Sequence, residues 1–312
     1  MDKLQSLIWY EKYRQTELSQ LALPTNHRKA FRSFIKQGEV PHLLFYGPAG
    51  SGKTTTATIL ISKLASSKLI MNASSEDRGI QNVKTTVKRF AISKRSGSKL
   101  KMILYDEADG LTADAQMALK NTIETFQSNC RFIFTANHID KVIPEIISRC
   151  MFFKFDTVPQ KKLTKHLGEI LEKEEVEYKK NDLVKVIKRF YPDVRSIINN
   201  VQSCSIGGVL DPKNLLETFD VKLLKNYIEG GKLFALRHMW ANTTDFIWLY
   251  KYLFNEFIPK EINAEVKTEA LVTVAEYLYR DKVVADREIN ITACILEIMN
   301  LIETDIDFSE PF

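Results

Sequence analysis

GPAGSGKT, residues 47–54, decides how this chain folds. It follows an apolar run, HLLFYG (42–47), and precedes a segment with helical spacing, 53–65. That strand–loop–helix setting is what a phosphate loop of pattern G-x-x-x-x-G-K-T requires. Gly47, Gly50 and Gly52, with Pro48, Ala49 and Ser51 between them, let the backbone turn tightly, so that successive N–H groups of the loop point at phosphate oxygens. Lys53 is placed for the outer phosphates and the Thr54 hydroxyl for Mg²⁺. Thr55 follows in the first turn of a helix whose positive end favours an anion. The stretch predicts ATP binding.

Working outward, KLIMNA (68–73), KMILYDEAD (101–109), CRFIFTAN (130–137) and MFFKF (151–155) are short apolar runs that stop at polar residues. They read as buried strands. Segments 80–94 and 112–127 between them have helical spacing. Strands alternating with helices predict an α/β fold with a parallel sheet covered on both faces. After Asp156 the pattern becomes helical over 159–177, 181–190 and 194–204, with Pro192 as a break. GGVLDP (207–212) is a turn signal and an expected boundary. Beyond it every pattern is helical, including the aromatic run 245–257 and the amphipathic stretches 264–281 and 287–303. The aromatic run is expected to be core in the main.

Phosphoryl transfer to water needs a metal ligand and a positioned base. MILYDEAD (102–109) supplies both at a strand tip: Asp106 for Mg²⁺ and Glu107 to polarise water. Asp109 fits a capping role equally well. Asn137, ending a third buried strand, belongs beside the γ-phosphate. Arg149 and Arg195 are basic residues on otherwise apolar segments. Each reads either as a structural ion pair or as an arginine for transition-state charge, in its own subunit or a neighbour's.

The bulk properties exclude other classes. The 312 residues are 45% hydrophobic and 27% charged, as in an ordinary globular protein. No apolar run is long enough for a membrane span, and MDKLQSLIWYEKYR lacks the apolar core of a secretory signal. An intracellular or nuclear compartment is the expectation. Cys130, Cys150, Cys204 and Cys294 are scattered without zinc-ligand spacing and read as reduced thiols. Net charge is only +5, but Arg78 to Tyr105 contains no acid and holds Arg78, Lys84, Lys88, Arg89, Lys94, Arg95, Lys99 and Lys101. Such a block is either a solvated face or a nucleic-acid surface.

With these elements in order, the chain resembles the AAA+ ATPases and, more narrowly, sliding-clamp loader ATPase subunits. WYEKYR (9–14) is similar to the opening of replication factor C small subunits. NASSEDRGI (72–80), DEAD, the Thr-Ala-Asn strand end and SRC (148–150) match the same family in order. SNCRFIFTANHID (128–140) and GGVLD (207–211) look like the tailed-phage clamp-loader subunit. Gln15 stands where the family usually has proline, and NASSEDRGI is one residue longer than the cellular pattern.

The resemblance implies an AAA+ parallel-sheet P-loop domain over 1–156, a helical lid over 157–211 and an all-α collar over 212–312. It implies that Tyr10, Glu11, Lys12 and Tyr13, with Leu21, Ala22 and Leu23, line the adenine pocket. Asn137 becomes the γ-phosphate sensor, Arg195 a second sensor from the lid, and Arg149 a finger acting on the adjacent subunit. Arg78, Gly79, Ile80, Lys84 and Lys88 become the surface that tracks duplex phosphates. The implied partners are a sliding clamp, further loader subunits in a hetero-pentamer, and primer–template DNA. Two other readings exist: a different AAA+ DNA-dependent ATPase, Holliday-junction helicase-like or recombination-linked, and a structural subunit that only binds ATP.

Overall fold

Leu43–Tyr46 (β1) is apolar on both faces because both are covered, and it is an inner strand, next to one edge, of a five-stranded sheet. The computed structural model describes residues 7–73, 79–93, 100–212, 221–240 and 246–307. It divides into two compact units that meet between Leu210 and Asp211.

In the first unit, Trp9–Lys12 (α1) and Thr25–Gln37 (α2) precede β1, and Lys53–Leu64 (α3) follows the phosphate loop. Ala65–Asn72 (β2), a helix over 80–92 (α4), Leu100–Asp106 (β3), Ala113–Phe126 (α5) and Cys130–Ala136 (β4) come next. Pro144–Ile147 (α6) and Met151–Lys154 (β5) complete the α/β part. The strands are all parallel in the order β2-β3-β4-β1-β5. Alternation along each strand sends Leu44, Ile103, Tyr105, Phe132 and Phe134 to one face, under α4 and α5. Leu43, Phe45, Met102, Leu104 and Ile133 pack on the other, against α2 and α3. Parallel strands put all their carboxyl ends on one edge, where ligands of open α/β sheets bind. The phosphate loop, Asp106 and Asn137 all lie there.

Three details depart from expectation. β2 starts at Ala65 rather than Lys68. It is an edge strand whose first residues alternate half-buried and exposed, so they lack a continuous apolar run. α2 was not anticipated; Gly38, at φ 70°, ends it, with its N–H bonded to the Phe34 carbonyl. α4 carries a π-turn over Val83–Val87.

Gln160–Lys173 (α7), Lys180–Phe190 (α8) and Val194–Ser203 (α9) form a helical cluster with its own core, including Leu167, Leu183, Ile187, Ile197 and Val201. Trp9 is buried in that core, and its backbone N–H donates to Gln202 Oε1 at 2.9 Å. The N-terminal segment is thereby fastened to the helices that follow the sheet. The Asp193 carboxylate caps α9, accepting from Arg195 N at 2.9 Å and Ser196 N at 3.3 Å.

Every element among the described residues of the second unit is a helix: Val221–Glu229 (α10), Leu233–Trp240 (α11), a helix over 246–261 (α12), Ala264–Arg280 (α13) and Arg287–Leu301 (α14). Phe246, Leu249, Tyr250, Leu253 and Phe257 from the aromatic run are buried in its core. Asn290 donates to the Tyr250 hydroxyl at 2.8 Å and the Tyr277 carbonyl at 2.9 Å, giving both of these enclosed groups a partner. No described helix is long and apolar enough to cross a membrane.

Candidate active site

The phosphate loop turns where only glycine fits. A Cβ on Gly47, at φ 145°, would lie 2.0 Å from the Phe155 carbonyl oxygen; one on Gly50, at φ 73°, would lie 2.7 Å from Val194 N. The second contact sets the loop directly against the start of α9. Lys53 begins α3, is 7% exposed, and donates to the carbonyls of Gly47 and Pro48 at 2.8 Å and to Asn137 Oδ1 at 2.9 Å. Burial pushes its ammonium down from the ordinary lysine range, and the negative charge of Asp106, Asp109 and Glu107 opposes that shift. Ser51 Oγ in the same loop is buried without a hydrogen-bond partner.

Across the strand ends, the Thr54 hydroxyl lies 2.7 Å from Asp106 Oδ1, and the Thr135 hydroxyl donates to the same oxygen at 2.5 Å. Thr135 Oγ1 also accepts from Glu107 N at 3.0 Å. Glu107 adopts φ 57°, a conformation an L side chain takes only when its surroundings enforce it. Asp109 caps: its carboxylate accepts from Asn137 N at 3.2 Å and His138 N at 3.1 Å, fixing the end of β4.

A cavity of about 890 Å³ joins these groups to the helical cluster. Tyr10, Lys12, Tyr13, Leu21, Ala22, Leu23, Ala49, Gly50, Ser51, Gly52, Lys53, Thr54, Thr55, Asp106, Glu107, Asn137 and Arg195 all line it. Arg195 donates to the Tyr10 hydroxyl at 3.0 Å and stacks 4.6 Å from the ring centroid. Gln15, in place of a proline, holds its turn by donating to the Gln20 carbonyl at 3.0 Å.

Glu11 does not line the cavity and instead pairs with Arg14 at 3.6 Å. Trp9 anchors the one-turn α1 in the helical core, and Glu11, two positions on, falls on another side. Arg149 is also absent from the cavity. It precedes β5, whose first residue pairs with Leu43 at the amino end of β1, whereas the phosphate loop leaves the carboxyl end after Tyr46. Its guanidinium bonds Glu124 of α5 and, at 2.6 Å, the Glu145 carbonyl. Gly79 and Ile80 open α4 half-buried, and Lys84 and Lys88 are exposed on it, opposite the buried Val83, Val87 and Ala91. Arg78, Lys94, Arg95 and Lys99 lie outside the described residues.

Sequence reading missed two residues. Thr135 had one signal, its place two residues before Asn137 on the same side of β4. Gln116 is 3% exposed and ties α5 to the segment before Arg149, donating to the Lys141 carbonyl at 2.9 Å and accepting from Ile143 N at 2.8 Å.

The phosphate loop, strand-end acids, polar strand end and helical cluster together define an AAA-type ATPase. In agreement, residues 43–156 match the family described as ATPase family associated with various cellular activities. The chain is 33% identical to replication factor C small subunit 1 of Pyrobaculum islandicum, covering 92% of each chain. It is 33% identical to the replication factor C small subunit of Archaeoglobus fulgidus, covering 94% of this chain and 98% of the relative. Replication factor C subunit 3 of Saccharomyces cerevisiae is 36% identical over 64% of this chain and 60% of its own. The chain belongs to the replication factor C small-subunit family, and is an ATP-hydrolysing subunit of a sliding-clamp loader. The Thermotoga maritima RuvB Holliday junction branch migration motor superposes with a TM-score of 0.55 over 77% of this chain and 91% of its own. At 19% identity that likeness is one of fold alone, and it does not favour the helicase reading.

Proposed function

We propose that ATP binding in this chain orders a ring of loader subunits that grips and opens a sliding clamp, and that hydrolysis, triggered by primer–template DNA, releases the clamp closed on DNA. One observation carries the proposal: Arg149 stands at the amino edge of the sheet while the phosphate loop stands at the carboxyl edge. A β1 of four residues separates those edges by roughly 13 Å at the rise of a parallel strand. Arg149 is therefore offered to a neighbouring subunit, and each ATP site is completed by a partner. Residues 1–156 act as the nucleotide-binding domain, 157–211 as its lid and 212–312 as the collar joining subunits in a hetero-pentamer.

Within one subunit, Lys53 leaves the Gly47 and Pro48 carbonyls for the phosphates, while Asn137 reads the γ-phosphate. Arg195, stacked on Tyr10, reports from the lid, and Tyr10 with Leu21–Leu23 receives the base. Glu107 accepts the proton of the attacking water. The Thr54 hydroxyl and Asp106 carboxylate, 2.7 Å apart, are hard oxygen donors that suit Mg²⁺. Mg²⁺ held there would supply charge neutralisation on the phosphates.

The test is ATP turnover of the chain with loader partners, clamp and primed DNA added in turn. Turnover is expected to rise with each, and indifference to both clamp and DNA would sink the reading. Reversing the charge at Lys84 and Lys88 together is expected to reduce the DNA-stimulated increment by about tenfold while leaving basal turnover within about twofold. It should also flatten the salt dependence of DNA binding by about two counterions. An equal loss in basal turnover would remove both lysines from the DNA surface.

A further inference from the structure

Lys101 is the outlier among the described residues of the basic block. It lies on β3, is 1% exposed, and points not to solvent but to the end of α4. Its ammonium donates to the Phe90 carbonyl, to the Ser93 carbonyl at 2.6 Å and to Ser93 Oγ at 2.8 Å, and sits 4.6 Å over the Phe90 ring. Asn129, just before β4, donates its amide to the Ala91 carbonyl and, at 3.4 Å, to the Ser93 carbonyl. The last carbonyls of a helix have no partner within it, and its negative end favours a cation. Here both needs are met from the sheet.

Burying a lysine so completely is costly, and a buried charge adds little to stability compared with a well-packed apolar side chain. A leucine or methionine among Ala91, Cys130 and the strands would fill the same space. What the lysine adds is direction: it ties one helix end to one place on the sheet. The two anchors head the two strands of the catalytic edge. β3 carries Lys101 as its second residue and ends at Asp106, just before Glu107; β4 begins right after Asn129 and carries Thr135, just before Asn137. Displacement of α4 thus has a rigid, hydrogen-bonded route to the acids and the polar strand end.

We propose that Lys101 and Asn129 are positioning residues that clamp the carboxyl end of α4 to β3 and β4, so that DNA held on Lys84 and Lys88 is felt at Asp106, Glu107 and Asn137. This rests on the reading of α4 as the DNA-facing helix. The test compares Lys101→Met and Asn129→Ala in the full chain, assembled with loader partners and clamp. Turnover is measured with and without primed duplex DNA, alongside DNA affinity and amide exchange over 80–92. Each variant is expected to lose about tenfold of the DNA-induced increment. Basal turnover and ATP affinity should stay within about twofold, and the α4 amides should exchange faster. Should Lys101→Met fail to fold, the half-exposed Asn129→Ala decides alone. A folded variant that keeps its DNA increment, or loses basal turnover equally, overturns the clamp. A wild-type assembly unmoved by DNA instead overturns the DNA reading of α4, and the clamp with it.

Discussion

Glu107→Gln lowers ATP turnover by about two to three orders of magnitude while ATP affinity changes by less than about twofold. The substitution keeps shape and removes only the charge and the proton acceptor. No hydrogen bond of the nucleotide-binding groups ends on that carboxylate: Lys53 bonds the Gly47 and Pro48 carbonyls and Asn137, Thr54 bonds Asp106, and the Glu107 charge is the least of the three that act on Lys53. The left-handed backbone of Glu107 is secured from behind, through its own N–H to Thr135 Oγ1, so the variant side chain projects from the same place. Turnover and equilibrium binding of a fluorescent ATP analogue separate the two effects. If affinity falls in step with turnover, Glu107 is part of the binding surface and the water must be activated elsewhere. Thr135→Val offers an internal comparison, since it withdraws one hydrogen bond from Asp106 and one from the Glu107 backbone together.

The same residues show where sequence is informative. Motifs that a parallel sheet delivers to its carboxyl edge are legible, because strand period and the residue after each apolar run fix both place and exposure. The loop 47–54, Asp106, Glu107 and Asn137 are of that kind, and the structure gathers residues 49–54 of the loop with those three in one cavity. Lys101 is of the opposite kind. In the sequence it is one more basic residue in an acid-free block, and only the packing of α4 on the sheet turns it inward. Thr135 and Gln116 were hidden for a related reason, since a single polar residue in an apolar run discloses no partner when that partner lies 28 or 27 residues away. β2 was read short because an edge strand needs no continuous apolar run. Glu11 was misplaced because a one-turn helix has too few residues for its period to say which side faces the ligand.

Arg149→Ala in an otherwise unaltered assembly is expected to cost about three orders of magnitude in turnover, the lower end of what a finger arginine supplies. It should not alter ATP binding by a single chain, since the guanidinium is bonded to Glu124 and the Glu145 carbonyl at the far edge of its own sheet. Loss of activity alone would not say whose ATP the arginine serves. Mixing Arg149→Ala with Glu107→Gln does. If the finger acts within its own chain, every chain in the mixture lacks one essential group and no ratio restores turnover. If it acts on a neighbour, a chain with intact Glu107 beside a chain with intact Arg149 forms a whole site. Random assembly of equal amounts then rebuilds about a quarter of such interfaces between copies of this chain. Recovery should vanish when either variant is in large excess and should require conditions that hold the assembly together. A flat, inactive titration would return Arg149 to the structural ion pair it makes with Glu124.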